Sequence, residues 1–226
     1  SGSTLVEKII GSGEKYIPIG EETKILENFI NSKIMDKQSL ILGDDNIIRD
    51  EIYHIYKQKG LLLKKYNYAF TDKSLNNFYY LNLIKDIFPD AKIINCIRSP
   101  LSSIMSIMQN NLAELAWAHH LENIFKYFEN YFEIVKIFND ANPGYIYNLN
   151  FEKFTEDPGN ESKKLMKYCD LKWSDKCLEF YQRKDIISKT TSNVQIRKSV
   201  YKHSSKRYLP YKNFLNKYGE KYSWFN

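Results

Sequence analysis

Short apolar runs of strand character alternate along this chain with segments whose apolar residues recur every three or four positions, and that alternation restricts the fold more than any other feature. A strand, a helix and a second strand bury their hydrophobic faces together when the chain crosses over and returns parallel, so the pattern predicts an α/β fold with a parallel sheet flanked by helices. Helical spacing is found at Leu5, Val6, Ile9 and Ile10, over 23–34, over 47–58 behind the turn cluster Gly43-Asp44-Asp45-Asn46, and over 75–88 up to Pro89. It is most regular over 121–138, and it returns over 161–169, with a last helix capped at Trp173-Ser174-Asp175 and running to about Tyr181. Extended pieces are predicted at 15–19, 68–70 and 145–151, with a buried strand at 92–97; Asn142-Pro143-Gly144 and Asp157-Pro158-Gly159 read as turns. With 226 residues, 43% of them hydrophobic, and no repeat or linker, the chain is expected to form one domain over 1–226.

Several loops of this pattern carry groups suited to anions. Ser1-Gly2-Ser3-Thr4 opens directly into the first helix, where backbone N–H groups, hydroxyls and the positive end of the helix dipole can hold a phosphate; the same residues also suit ordinary N-capping. Thr71-Asp72-Lys73-Ser74 lies between a strand and a helix, and Lys73 is either a cleft lysine that can donate to an oxyanion or a solvated loop lysine. Arg98-Ser99-Pro100 ends a strand ahead of a helix bearing Ser102, Ser103 and Ser106, which makes an anion pocket or an arginine paired with a carboxylate. The stretch from Thr190 to Arg197, followed by Ser204-Ser205-Lys206-Arg207-Tyr208, suits a second phosphate group or a polar surface loop.

Charge and composition narrow the classes. Eleven Lys or Arg against two acids fall between Arg183 and Lys221, so the net charge of +6 belongs to that stretch and the remainder is mildly acidic. Its interleaved Tyr201, Tyr208, Tyr211, Phe214 and Tyr218 superficially suit a single-stranded nucleic acid, but the acidic remainder argues against nucleic acid as a partner. No apolar run reaches the length of a membrane span, and three cysteines without CxxC spacing fit a reduced, cytoplasmic compartment. The four histidines show no metal-ligand spacing; His119-His120 either lines an acceptor cleft or forms a surface pair at a helix start.

The order and spacing of these pieces resemble the sulfotransferase superfamily, nearest to the protein-tyrosine sulfotransferases and their bacterial relatives found behind tetratricopeptide repeats. Ser1-Gly2-Ser3-Thr4-Leu5 is similar to the second half of the family's Pro-Arg-Ser-Gly-Thr-Thr-Leu loop, and Gly20-Glu21-Glu22-Thr23 to its Gly-Glu-Glu-Thr element. Thr71-Asp72-Lys73 resembles Thr-Asp-Lys, and residues 88–92 resemble Phe-Pro-Asn-Ala-Lys. Arg98 with Ser106 looks like the arginine and serine pair that grips a nucleotide 3′-phosphate, Phe151-Glu152 like the Tyr-Glu element, and Ser192 to Arg197 with Lys206-Arg207-Tyr208 like the closing Ser…Gln-Val-Arg and Gly-Arg-Trp elements. Phe151 stands where the family usually has tyrosine and Tyr208 where it has tryptophan. The chain begins inside its phosphate loop, so the first strand and the start of that loop are expected upstream of Ser1.

The resemblance implies a three-layer α/β/α fold with a central parallel sheet, like the phosphate-loop nucleoside kinases. It also implies transfer of a sulfuryl group from 3′-phosphoadenosine 5′-phosphosulfate, without a metal, to a hydroxyl of a carbohydrate, small metabolite or protein. By the same resemblance Glu22 is the base, Lys73 stabilises the leaving oxygen and Ser192 holds the phosphosulfate bridge. Ser1, Gly2, Ser3 and Thr4 bind the 5′-phosphosulfate, and Arg98, Ser106 and Arg207 bind the 3′-phosphate. Sulfuryl transfer needs just such a base, cations and separate grips on two phosphate ends. The rivals are a phosphate-loop kinase, whose GxxxxGK[ST] signature is not visible, and a non-catalytic nucleotide-binding domain, which would tolerate loss of Glu22 or Lys73. The Lys, Asn, Ile and Tyr usage suggests a bacterial source.

Overall fold

Helix formation begins at Ser3, directly after a glycine, in the computed structural model, which describes residues 2–13, 17–35, 44–62, 69–110, 112–183 and 208–225. Packing divides the chain into two units: Ser3–Ile93 with Gly159–Ser199 forms one, and Ser1–Gly2, Ile94–Pro158 and Val200–Asn226 form the other.

In the former, helix α1 (Ser3–Gly11) buries Val6, Ile9 and Ile10, and with them Glu7 and Lys8. A Cβ at Gly11 would lie 2.6 Å from Ile19 Cδ1, so a larger residue there would require the Ile19 side chain to shift. Ile19 in turn forms a parallel bridge with Thr71, which joins the ends of two of the extended pieces that the sequence predicts. Helices α2 (Ile25–Met35), α3 (Asp45–Gln58) and α4 (Leu81–Ile87) share one core built from Ile25, Leu26, Phe29, Ile52, Tyr56 and Ile87 among others. Each such apolar side chain contributes about 1.5–3 kcal/mol on leaving water. The Asp44 carboxylate caps α3 by accepting from Asn46 N at 2.9 Å.

Two predicted helices in this unit differ. The segment 75–88 begins as a 3₁₀ turn (Leu75–Tyr80) and becomes α-helical only at Leu81. Its Asn76 and Asn77 side chains donate to Glu27 and Asp72, the kind of polar competition that disfavours a regular first turn. Between Trp173 and Arg183, where a helix to about Tyr181 is expected, the chain forms only the short 3₁₀ pieces Asp175–Cys177 and Phe180–Gln182, and Ser174 makes no side-chain cap. Pro158, predicted in a turn, is the first residue of α8 (Pro158–Tyr168), where its missing N–H costs nothing. The residues of α8 from Gly159 bury Ser162, Leu165 and Met166 in this unit, and Ser162 Oγ accepts from Trp173 Nε1 at 2.9 Å.

In the other unit, strand β1 (Ile93–Ile97, from Ile94 onward) pairs with β2 (Ile146–Asn150) in a parallel sheet. The crossover runs through α5 (Pro100–Gln109) and α6 (Leu121–Ala141). Every residue of β1 is half-buried, where full burial is the sequence expectation, while β2 buries Ile146 and Leu149. The Phe125 ring of α6 packs against Tyr218, Tyr222, Trp224 and Phe225 with centroids 5.5–6.0 Å apart. Those rings come from α9 (Lys212–Gly219) and the residues after it. Tyr208 and Tyr218 thus pack toward a core, whereas Tyr211 and Phe214 are exposed. Helix α7 (Phe151–Glu156) has no counterpart in the sequence expectation; Asn150 Oδ1 caps it by accepting from Lys153 N at 2.8 Å. Helices around parallel pairing make the fold α/β, as the alternation predicts.

Candidate active site

The segments carrying Glu22 and Lys73 are tied to each other backbone to backbone. Gly20 N donates to the Thr71 carbonyl at 3.0 Å, Thr71 N to Pro18 O at 3.0 Å, and Lys73 N to Glu21 O at 2.8 Å. A Cβ on residue 20 would sit 2.2 Å from the Thr71 carbonyl oxygen, so only glycine permits this approach. Glu21 and Lys24 both take left-handed backbone conformations, with φ of 53° and 54°. Such conformations cost on the order of 1–3 kcal/mol each in residues with a Cβ and persist where the surroundings fix them. They flank Glu22, whose side chain is 45% exposed.

Two carboxylates hold these segments. Asp72 Oδ2 accepts from Thr23 Oγ1 at 2.6 Å and from the Tyr56 hydroxyl at 2.7 Å, while Oδ1 accepts from Ser74 N and Oγ at 2.9 and 2.6 Å and more weakly from Asn77 Nδ2. Burial, together with the charge of Asp72, pushes the Tyr56 phenol far above its ordinary range, so Tyr56 acts as a permanent donor. The second carboxylate, Glu7, is buried on α1; its Oε1 accepts from Glu21 N at 3.0 Å and Thr71 Oγ1 at 2.6 Å. Burial raises its proton affinity, and the Thr71 hydrogen bond and the charge of Lys73 oppose that rise.

Between these anchors Lys73 Nζ stands 3.6 Å from Glu22 Oε1. The nitrogen is buried and makes no hydrogen bond among the described residues. An ammonium held in that state carries a desolvation cost that an incoming oxyanion would offset, since it has three donors to offer. A buried donor opposite an accessible carboxylate can polarise a leaving oxygen and accept a proton from an incoming nucleophile.

The other unit presents its own anion-suited group. Ser99 Oγ caps α5 by accepting from Ser102 N at 3.5 Å, and Pro100 supplies the first turn. Ser99 N donates to Glu152 Oε1 at 3.0 Å, which ties the start of α5 to α7. The Arg98 guanidinium lies 5.5 Å from the centre of the Phe151 ring, a cation–π placement that Phe supports as well as Tyr. Ser106 is half-buried two turns into α5. A Cβ on Gly2, at φ 85°, would fall 2.2 Å from Phe151 Cδ2.

Of the site residues that the sequence predicts, the structure brings Glu22 and Lys73 together. Ser3 opens α1 with Thr4 buried behind it, while Arg98 directly precedes the cap of α5 and Ser106 lies two turns into that helix. Ser1, Ser192 and Arg207 lie outside the described residues. His119 and His120 are exposed where α6 begins, as a surface pair. Among the described residues no group of three or more His, Cys, Asp or Glu is arranged to hold a metal ion, and no helix is long and apolar enough to cross a membrane.

A model described as the sulfotransferase family matches residues 1–175. The chain belongs to the sulfotransferase family. An uncharacterized protein of Aquifex aeolicus (strain VF5) is 30% identical over 234 residues, which cover 95% of this chain and 30% of that protein; the chain thus spans about a third of the length of the curated relative it matches. Among solved structures, the sulfotransferase domain from the curacin biosynthetic pathway superposes with a TM-score of 0.59 at 16% identity, over 88% of this chain and 80% of that one, and so shares its fold. Within this member of the sulfotransferase family, the residues that sequence reasoning missed are Glu7, Tyr56 and the acceptor role of Asp72. Glu7 left one signal: a lone acid at position 7 between Val6 and Ile9 on the apolar face of a helix.

Proposed function

We propose that the protein transfers a sulfuryl group from 3′-phosphoadenosine 5′-phosphosulfate to a hydroxyl of a carbohydrate, small metabolite or protein. The observation that carries this reading is the Lys73–Glu22 pair, a buried ammonium without a hydrogen bond facing an exposed carboxylate, set at the family's Thr-Asp-Lys and Gly-Glu-Glu-Thr positions. The orphaned Lys73 nitrogen fits a ligand that brings oxyanions. When bound, the nucleotide supplies an activated sulfuryl group.

Glu22 accepts the acceptor's proton at its exposed carboxylate, a weak base for an alkyl alcohol and better matched to a phenol. Lys73 keeps N–H donors ready for charge developing on the leaving oxygen. By family resemblance, the loop residues Ser1, Gly2, Ser3 and Thr4 hold the 5′-phosphosulfate, Arg98, Ser106 and Arg207 hold the 3′-phosphate, and Ser192 holds the phosphosulfate bridge. The capped N-terminus of α5 and the guanidinium of Arg98 support the 3′-phosphate assignment. Three free cysteines fit a cytoplasmic location.

Calorimetry with 3′-phosphoadenosine 5′-phosphate, with ATP and with the Arg98→Ala variant tests the reading. Binding that prefers the 3′-phosphate and weakens at least tenfold in the variant is expected. A preference for ATP, or no binding of either nucleotide, would overturn it.

A further inference from the structure

Glu7 occupies a position where a leucine would bury well, and it is 4% exposed. A carboxylate there costs desolvation that an apolar side chain would avoid, visible in its raised proton affinity. What the carboxylate gains is two hydrogen bonds, both to the segments that carry the Glu22–Lys73 pair. One comes from the backbone N–H of Glu21, the left-handed residue directly before Glu22. The other comes from the hydroxyl of Thr71, two residues before Lys73. Gly20 N also reaches that hydroxyl, at 3.3 Å, alongside its bond to the Thr71 carbonyl. A single oxygen atom, Oε1, therefore fixes both segments relative to the helix that follows the phosphate loop.

We infer that Glu7 is a positioning residue of the proposed transfer site, whose carboxylate sets the spacing of Glu22 and Lys73 by gripping Glu21 and Thr71 at once. The inference rests on the sulfotransferase reading of that pair. Glu7 is not itself a catalytic residue: it is buried, and its Oε1 is committed to internal donors. Its effect reaches the reaction through geometry, and small displacements of reacting groups are expensive in rate. Glutamine retains a carbonyl oxygen that can accept the same two bonds, whereas leucine retains only the shape.

The test compares wild type, Glu7→Gln and Glu7→Leu by amide hydrogen exchange at Glu21, which needs no turnover, and by kcat and KM. Glu7→Gln should keep the Glu21 amide protected and kcat within about threefold of wild type. Glu7→Leu should speed exchange at Glu21 at least tenfold and lower kcat by about 10- to 100-fold with acceptor KM changed less than threefold, the range typical of outer-shell partners. The inference is overturned if Glu7→Leu leaves the Glu21 amide protected, or if Glu7→Gln loses as much kcat as Glu7→Leu while keeping that protection. If Glu7→Leu does not fold, Thr71→Val removes the Thr71 grip, together with the weaker bond from Gly20 N, and an unchanged kcat there overturns the inference. A wild-type protein without sulfuryl transfer would sink the proposed function, while the exchange at Glu21 decides the positioning claim separately.

Discussion

At the scale of single residues, Lys73 and Glu22 separate stability from chemistry in opposite environments. The Lys73 ammonium is buried without a hydrogen bond, so it is held at a cost to the fold. Lys73→Met keeps the length of the side chain and removes that cost, so it should melt at or above the wild-type temperature while kcat falls about 100- to 1,000-fold, the loss typical of deleting one transition-state donor. A melting temperature that drops together with kcat would make Lys73 a structural ion-pair partner instead. Glu22, 45% exposed, contributes little to folding. Glu22→Gln should change stability by less than about 0.5 kcal/mol and lower kcat about 100- to 10,000-fold, as for loss of a general base, with nucleotide affinity unchanged by calorimetry. Retention of kcat in that variant would move the base elsewhere.

At the scale of elements, the close pairing of the 20–24 and 71–74 segments predicts what one methyl group does. In Gly20→Ala the new Cβ would meet the Thr71 carbonyl oxygen at 2.2 Å, and both partners are backbone, so neither can yield by changing rotamer. Denaturant titration should show a loss of about 1–3 kcal/mol, with kcat falling as Glu22 is displaced. Gly60→Ala is the control: φ is 74° but the added Cβ has nothing within 4 Å, so it should carry only left-handed strain of about 1–2 kcal/mol and leave kcat intact. The same scale explains what the sequence reveals. Helices α2, α3 and α6 are legible because 11 to 21 residues show a clear apolar period. Helix α7, at 6 residues, is too short to show one, and the 3₁₀ start at Leu75 depends on Asn76 finding Glu27, 49 positions away, and on Asn77 turning back to Asp72. Glu22 and Lys73 are legible because they sit in contiguous motifs. Glu7 and Asp72 are not, because their roles rest on donors such as Thr71 and Thr23, 64 and 49 positions away, which only folding brings to them.

At the scale of the whole molecule, Glu7 links folding to pH with a definite sign. Burial is the largest influence on this carboxyl and raises its folded-state proton affinity above the ordinary value of 4.5, despite the bond from Thr71 and the charge of Lys73. The folded protein therefore holds this proton more tightly than the unfolded chain does. Its contribution to stability is fully present below the unfolded value and is lost as pH rises through the raised folded value. Glutamine at position 7 cannot titrate, so Glu7→Gln should lack that loss. Denaturant titrations of both proteins from about pH 4 to pH 8 should show the stability of Glu7→Gln gaining on wild type as pH rises above about 4.5, then running parallel to it once Glu7 is ionised in both states. A difference that stays constant across the range would mean that Glu7 is as easily ionised folded as unfolded. A wild type that instead gains on Glu7→Gln as pH rises would mean that the attraction of Lys73 and the two hydrogen bonds outweigh burial. In that case the carboxylate would be an asset to the fold itself, and its place beside Glu21 and Thr71 would no longer need the reaction to explain it.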